Sequence, residues 1–183
     1  MRALHSSIFS ITEDVQKQGN EAEHMTKTNV MRQLEKAGIT YRVEEYEFDE
    51  DNLSGLHAAE QIDFPAEQMF KTLVTRGDKQ GIQVFCIPVG MELDLKKAAS
   101  VSKNKKVEMI HVKELLGLTG YIRGGCSPIG MKKKYPTYID ETAILFDEIA
   151  VSAGTRGEQV ILSSEELMQF VDAQAVDITK EMK

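Results

Sequence analysis

The chain has 183 residues, 42% of them hydrophobic, and a formal net charge of -7. That length suits one globular domain with one sizeable core. No run approaches the ~18 consecutive apolar residues that cross a bilayer, the polar stretch 4–11 does not form a signal peptide, and Cys86 and Cys126 belong to no CxxC or histidine-rich pattern. A cytoplasmic protein is expected, with no disulfide, no structural metal and no membrane attachment.

Residues 1–24 are polar and lack periodicity, and they are expected to be a disordered or adventitious extension, with Met25 as a plausible start of the domain at 25–183. Thr26 or Thr28 can then cap a helix carrying Val30, Met31, Leu34 and Ala37, stopped by Gly38. The stretch 40–48 is strand-like, but its apolar parity switches between Val43 and Tyr46, which predicts a bulge or strand end near Glu45. Ser54 can cap a short helix, and a strand over 70–75 follows. In that strand Lys71 shares a face with Leu73 and Thr75, so it sits either at a sheet edge or in a pocket.

The apolar run 82–89 predicts a central strand covered on both faces. Asp94 can cap a helix over 95–101, and a short helix over 112–116 ends at Gly117. Beyond residue 134, strands are expected over 137–139, 143–151 and 159–162, a capping box at Ser163 and Glu166 opens a helix, and 175–178 forms a last strand. Helices and strands alternate without a regular βαβ repeat. This pattern predicts an α+β domain with a mixed sheet of about seven strands.

The stretch 120–134, GYIRGGCSPIGMKKK, offers bare backbone NH groups beside concentrated positive charge. Between Lys96 and Lys134, ten Lys or Arg stand against two Glu, so an acidic protein carries one basic segment able to dock phosphates. Neither a Walker A loop nor a dinucleotide-binding fingerprint is present, and no motif supports a catalytic metal or another cofactor. Cys126 among glycines invites a thiol-nucleophile reading, but no histidine of a recognisable Cys/His signature accompanies it.

Four blocks in order, FKTL at 70–73, LKKAA at 95–99, GYIRGGCSPIGMKKK at 120–134 and VSAGTRG at 151–157, resemble the YbaK/EbsC family of aminoacyl-tRNA deacylases. The resemblance spans residues 25–178. It implies a sheet curled into a barrel-like form with surrounding helices, and trans-editing of cysteine mischarged onto tRNA(Pro). The implied catalytic residues are Lys71, Gly124 and the adjacent Gly125, with Tyr46 and Ser152 binding substrate. It also implies attack by the substrate's own thiol, so Cys126 is expected to be dispensable.

The basic residues Lys103, Lys105, Lys106, Lys132, Lys133 and Lys134 are then expected to follow the acceptor stem. The expected partners are mischarged aminoacyl-tRNA and, transiently, prolyl-tRNA synthetase, with neither DNA nor a membrane. Two other readings remain open: hydrolysis of Ala-tRNA(Pro) by water, and a noncatalytic tRNA- or synthetase-binding module.

Overall fold

The computed structural model describes residues 26–180, so the expectation for the extension 1–24 lies outside the described residues. In chain order the regular elements begin with α1 (Asn29–Lys36), β1 (Tyr41–Glu45), α2 (Gly55–Gln61), β2 (Phe70–Gly77), β3 (Gly81–Pro88), β4 (Glu92–Leu93) and α3 (Leu95–Val101). They continue with β5 (Val107–Met109), α4 (Val112–Thr119), β6 (Thr137–Asp140), β7 (Glu148–Ser152), β8 (Glu158–Ser163), α5 (Ser164–Val171), β9 (Ala173–Val176) and β10 (Thr179–Lys180).

The main sheet has the order β5-β2-β3-β6-β9, and β3 lies at its centre as its apolar run predicts. Antiparallel β2–β3 pairing continues from Phe70 opposite Pro88 to Gly77 opposite Gly81, and β6 and β9 add parallel strands beyond β3. One face of β3 sends Val84 and Cys86 into a core with Val30 and Leu34 of α1 and residues of β7 and β8. The other sends Phe85 and Ile87 against Ala98 of α3 and Ile178. Phe85 stacks on Tyr138 with ring centroids 5.1 Å apart. Each such large side chain contributes about 1.5–3 kcal/mol on burial, which is why this strand tolerates no polar alternation.

Local caps explain several boundaries. Thr28, rather than Thr26, accepts the Met31 N–H and starts α1, whose Val30, Met31 and Leu34 are buried. Ser54, Asp94 and Ser163 cap α2, α3 and α5 as expected. Helix α4 runs past Gly117 to Thr119, because the left-handed stop is Gly120 at φ 85°. The expected strand 143–151 begins later, at Glu148. Asp140 accepts the Thr142 N–H and hydroxyl, winding residues Glu141–Leu145 into a 3-10 turn.

A barrel-like sheet does not form. A second sheet, β1-β8-β7, approaches the main one, but among the described residues the pairing between β2 and β7 is a single bridge from Met69, just before β2, to Ala150. Among the described residues ten strands therefore divide among three sheets, with β4 and β10 as a separate pair, instead of about seven strands in one curled sheet. The physical reason lies at the outer edge of β2: β5 covers it only from Thr75 to Gly77, and β7 reaches it only at Met69. Between these points the edge has no strand partner among the described residues, and the ring stays open.

The closed end of the β2–β3 hairpin is held by Asn104, whose Oδ1 accepts the N–H groups of Lys79 and Gln80 at 3.0 and 2.9 Å while its Nδ2 donates to Gln83 and Ser102. Asn104→Ala strands these groups, and urea unfolding should show a loss of about 1–3 kcal/mol with the site at the other end of β2 unaffected.

Candidate active site

The opening between β2 and the β7–β8 sheet is a cavity of about 510 Å³. Residues 70–74 form one wall, α2 and α4 contribute Leu56 and Leu115, and the glycine loop contributes Arg123, Gly124 and Cys126. Tyr46, Lys71, Gly124 and Ser152 all line it, although they come from four separate parts of the chain. The Met69–Ala150 bridge explains two of them. It pairs β2 and β7 in parallel, so two residues further along each strand Lys71 and Ser152 flank the point where the strands part.

Lys71 is half-buried, and its Nζ donates to the Val89 carbonyl at 3.4 Å. Burial lowers its pKa from the ordinary 10.5, with Glu92 pulling weakly in the opposite direction. The Ser152 hydroxyl oxygen accepts the Gly154 N–H at 3.1 Å, which leaves its own hydrogen free to donate into the cavity. Tyr46 is placed by its N–H bond to the Gly157 carbonyl at 2.9 Å, at the end of β1 where the parity switch predicts a break.

The glycine loop is braced from outside. Gly124 has φ 87°, and a Cβ there would approach Leu53 at 3.2 Å and the Arg156 side chain at 3.4 Å. Gly125 does not line the cavity: its N–H donates to the Ile122 carbonyl at 3.0 Å, and a Cβ there would press on the Thr155 backbone at 3.1 Å. The paired NH groups expected to face a ligand thus reduce to Gly124, while Gly125 lets the 151–157 stretch pack close.

Arg156 of that stretch donates from Nε to the Arg123 carbonyl at 2.9 Å and lies 3.7 Å from Glu50. Two of the four sequence blocks, 120–134 and 151–157, are therefore one mechanical unit.

Cys126 lines the cavity, yet burial pushes its thiol up to about 12. Cys86 behaves likewise, also at about 12, sealed beneath Thr72. Neither is a ready thiolate, and no histidine or carboxylate among the described residues lines the cavity.

The six expected RNA-binding lysines do not line it either. Lys103, Lys105 and Lys106 lie at or just before the start of β5, opposite Gly77, which is about 20 Å of strand from Lys71. Lys133 and Lys134 line a smaller cavity of about 240 Å³ with Gln33 and Tyr135, and Lys132 packs along Gly120. Lys106 and Lys134 are already paired with Glu108 and Asp172.

Residues missed from sequence are Arg123, the second cation of the cavity, and Gln159, which sits opposite Ser152 in the β7–β8 register and is 7% exposed. A glutamine opening the apolar run of β8 was the available signal. Arg123 was counted only within the charge of the basic segment.

A family model described as the aminoacyl-tRNA editing domain matches residues 55–170. The chain belongs to the aminoacyl-tRNA editing domain family. Within that family it is 50% identical over 153 residues to EbsC of Enterococcus faecalis, a candidate Cys-tRNA(Pro)/Cys-tRNA(Cys) deacylase, covering 84% of this chain and 93% of the relative.

A solved structure of a candidate trans-editing enzyme for prolyl tRNA synthetase superposes with a TM-score of 0.72 at 26% identity, over 84% of this chain and 98% of that one. The structure of the hypothetical protein APE2540, 19% identical with a TM-score of 0.75 over 82% of this chain and 99% of its own, shares the editing-domain fold. The resemblance carried by the four sequence blocks is thereby borne out.

Arg156 braces the loop rather than lining the cavity, so Arg156→Ala should lower kcat for aminoacyl-tRNA cleavage by about tenfold or more through misplacement of Gly124 while KM changes little. Steady-state kinetics check this, and circular dichroism confirms that the variant folds.

Proposed function

We propose that the protein is a trans-editing deacylase that cleaves the aminoacyl ester of mischarged Cys-tRNA(Pro). The observation that carries this reading is the cavity itself: Lys71, Gly124, Tyr46 and Ser152 converge on one opening in which no described residue is an activated nucleophile. The 50% identity to a candidate Cys-tRNA deacylase supports the choice of substrate.

The chemistry can then come from the substrate. The cysteine thiol attacks its own ester carbonyl, an S–C bond forms, the C–O bond to the ribose breaks, and the thiol proton passes to the departing ribose oxygen. The products are a cyclic thioester and free tRNA. The protein supplies proximity in a shaped cavity and hydrogen bonds to the carbonyl oxygen as charge develops on it. Gly124 N–H fits that role, the half-buried Lys71 ammonium meets the ribose or terminal phosphate, and Tyr46 and Ser152 hold the terminal adenosine and aminoacyl group.

On this reading the acceptor stem follows Lys103, Lys105, Lys106 and Lys132–Lys134. The cations without an ion pair among the described residues, Lys103, Lys105, Lys132 and Lys133, are the readiest to take phosphates. These contacts carry no base readout. Selection of tRNA(Pro) is assigned to a transient complex with prolyl-tRNA synthetase, in the cytoplasm.

A deacylation panel of Cys-, Ala- and Pro-charged tRNA(Pro), with and without the synthetase, tests the reading. Preferred release of cysteine is expected, release of alanine alone would assign a water-driven hydrolase, and tRNA binding without any release would assign a noncatalytic module. Lys71→Ala should abolish release with the fold intact. If the ammonium is the working form, wild-type activity is lost as pH rises through a pKa below 10.5, the direction set by burial.

Cys126→Ser should retain activity within about threefold, since nucleophile loss would cost orders of magnitude. Single-turnover rates distinguish the two outcomes.

A further inference from the structure

Thr72 stands at the middle of the uncovered edge of β2, and its backbone orientation follows from the register. The Val89 N–H donates to the Met69 carbonyl, so the odd residues of β2 direct their peptide groups at β3. The even residues face the other way, as shown by the Ile110 N–H donating to the Val74 carbonyl. Thr72 therefore aims its N–H and C=O outward. On that side no strand pairing among the described residues includes Thr72: the β5 ladder stops at Thr75, and the pairing with β7 is the single bridge at Met69. The cavity lies along this edge, and Thr72 lines it.

An aminoacyl ester is one amino-acid unit with an α-ammonium donor and a carbonyl acceptor. In an antiparallel hydrogen-bonded pair, two residues exchange both of their bonds. We infer that the aminoacyl group docks as a one-residue strand opposite Thr72, its carbonyl oxygen accepting the Thr72 N–H and its α-ammonium donating to the Thr72 carbonyl. This inference rests on the deacylase reading above and specifies how that site holds its substrate.

Three features of the cavity fit. No carboxylate among the described residues lines it, so an ammonium must be met by a neutral oxygen such as a backbone carbonyl. Residues paired across strands put their side chains on the same face. An L-configured substrate side chain thus falls beside Phe70 and Val74, the face that also holds Cys126, and away from Lys71. Antiparallel polarity finally carries the ester oxygen and the ribose from Thr72 toward Lys71, where the cation is needed.

The test compares single-turnover cleavage of tRNA(Pro) carrying L-cysteine, D-cysteine or 3-mercaptopropionate, which keeps the thiol but lacks the amine. Each rate is divided by that ester's uncatalysed rate, since an α-ammonium itself activates the ester. Removing the amine should cost about tenfold or more, the worth of one charge-assisted hydrogen bond, and the D-ester should be cleaved at least as poorly.

Thr72→Pro deletes only an N–H that faces the cavity and no β2–β3 bond, and it should lower kcat about a hundredfold, as loss of an oxyanion donor does. Thr72→Val keeps both backbone groups and should lose much less activity than Thr72→Pro. Equal normalised rates with and without the amine, or a Thr72→Val enzyme as damaged as Thr72→Pro, would overturn the inference while leaving the deacylase reading in place. If Thr72→Pro does not fold, the substrate series decides alone. Failure of the wild type to cleave any aminoacyl-tRNA removes the deacylase reading and this inference with it.

Discussion

Strand β2 is paired along its whole length on one side and only near its ends on the other. Everything at the site depends on that asymmetry. Pairing with β3 fixes β2 rigidly in the main sheet, while the missing partner between Met69 and Thr75 opens the cavity and leaves backbone hydrogen-bonding groups on its wall. An unpaired strand edge is ordinarily an aggregation hazard. Here α2, α4, the glycine loop and the β7–β8 sheet surround it, so a small group can enter but another strand is impeded.

The opposite wall is built from two loops that need each other. A Cβ at Gly124 or Gly125 would crowd Leu53, the Arg156 side chain or the Thr155 backbone at 3.1–3.4 Å, and the Arg156 Nε–H holds the Arg123 carbonyl. Side chains at either glycine would push these loops apart. The loop therefore owes its shape to packing as much as to any ligand, and Gly125, with its N–H already bonded within the turn, contributes through close approach alone.

The electrostatics suit chemistry supplied by the substrate. Burial keeps both thiols protonated and lowers the Lys71 pKa without removing Lys71 from the cavity. The cations that line the cavity, Lys71 and Arg123, suit the phosphate or ribose end of an RNA, and no carboxylate among the described residues lines it to repel one. A half-buried ammonium held by one long bond to a carbonyl costs stability, as is common where function requires a charge in a desolvated place.

Much of this was determined by sequence alone. The caps at Thr28, Ser54, Asp94 and Ser163, the central strand over 82–89, the break after Glu45 and the four family blocks all rest on local backbone chemistry or unbroken apolar runs, which act over a few residues. The 3-10 turn after Asp140, the short strands β4, β5 and β10, and the division into separate sheets were decided only in the folded chain, because they depend on partners far away in sequence. The same holds for the site: Lys71, Gly124 and Ser152 were each visible as residues, but Gln159, Arg123 and the bracing by Arg156 were not. Whether a strand edge is covered or left open is a property of its neighbours, and no pattern within residues 70–77 encodes it.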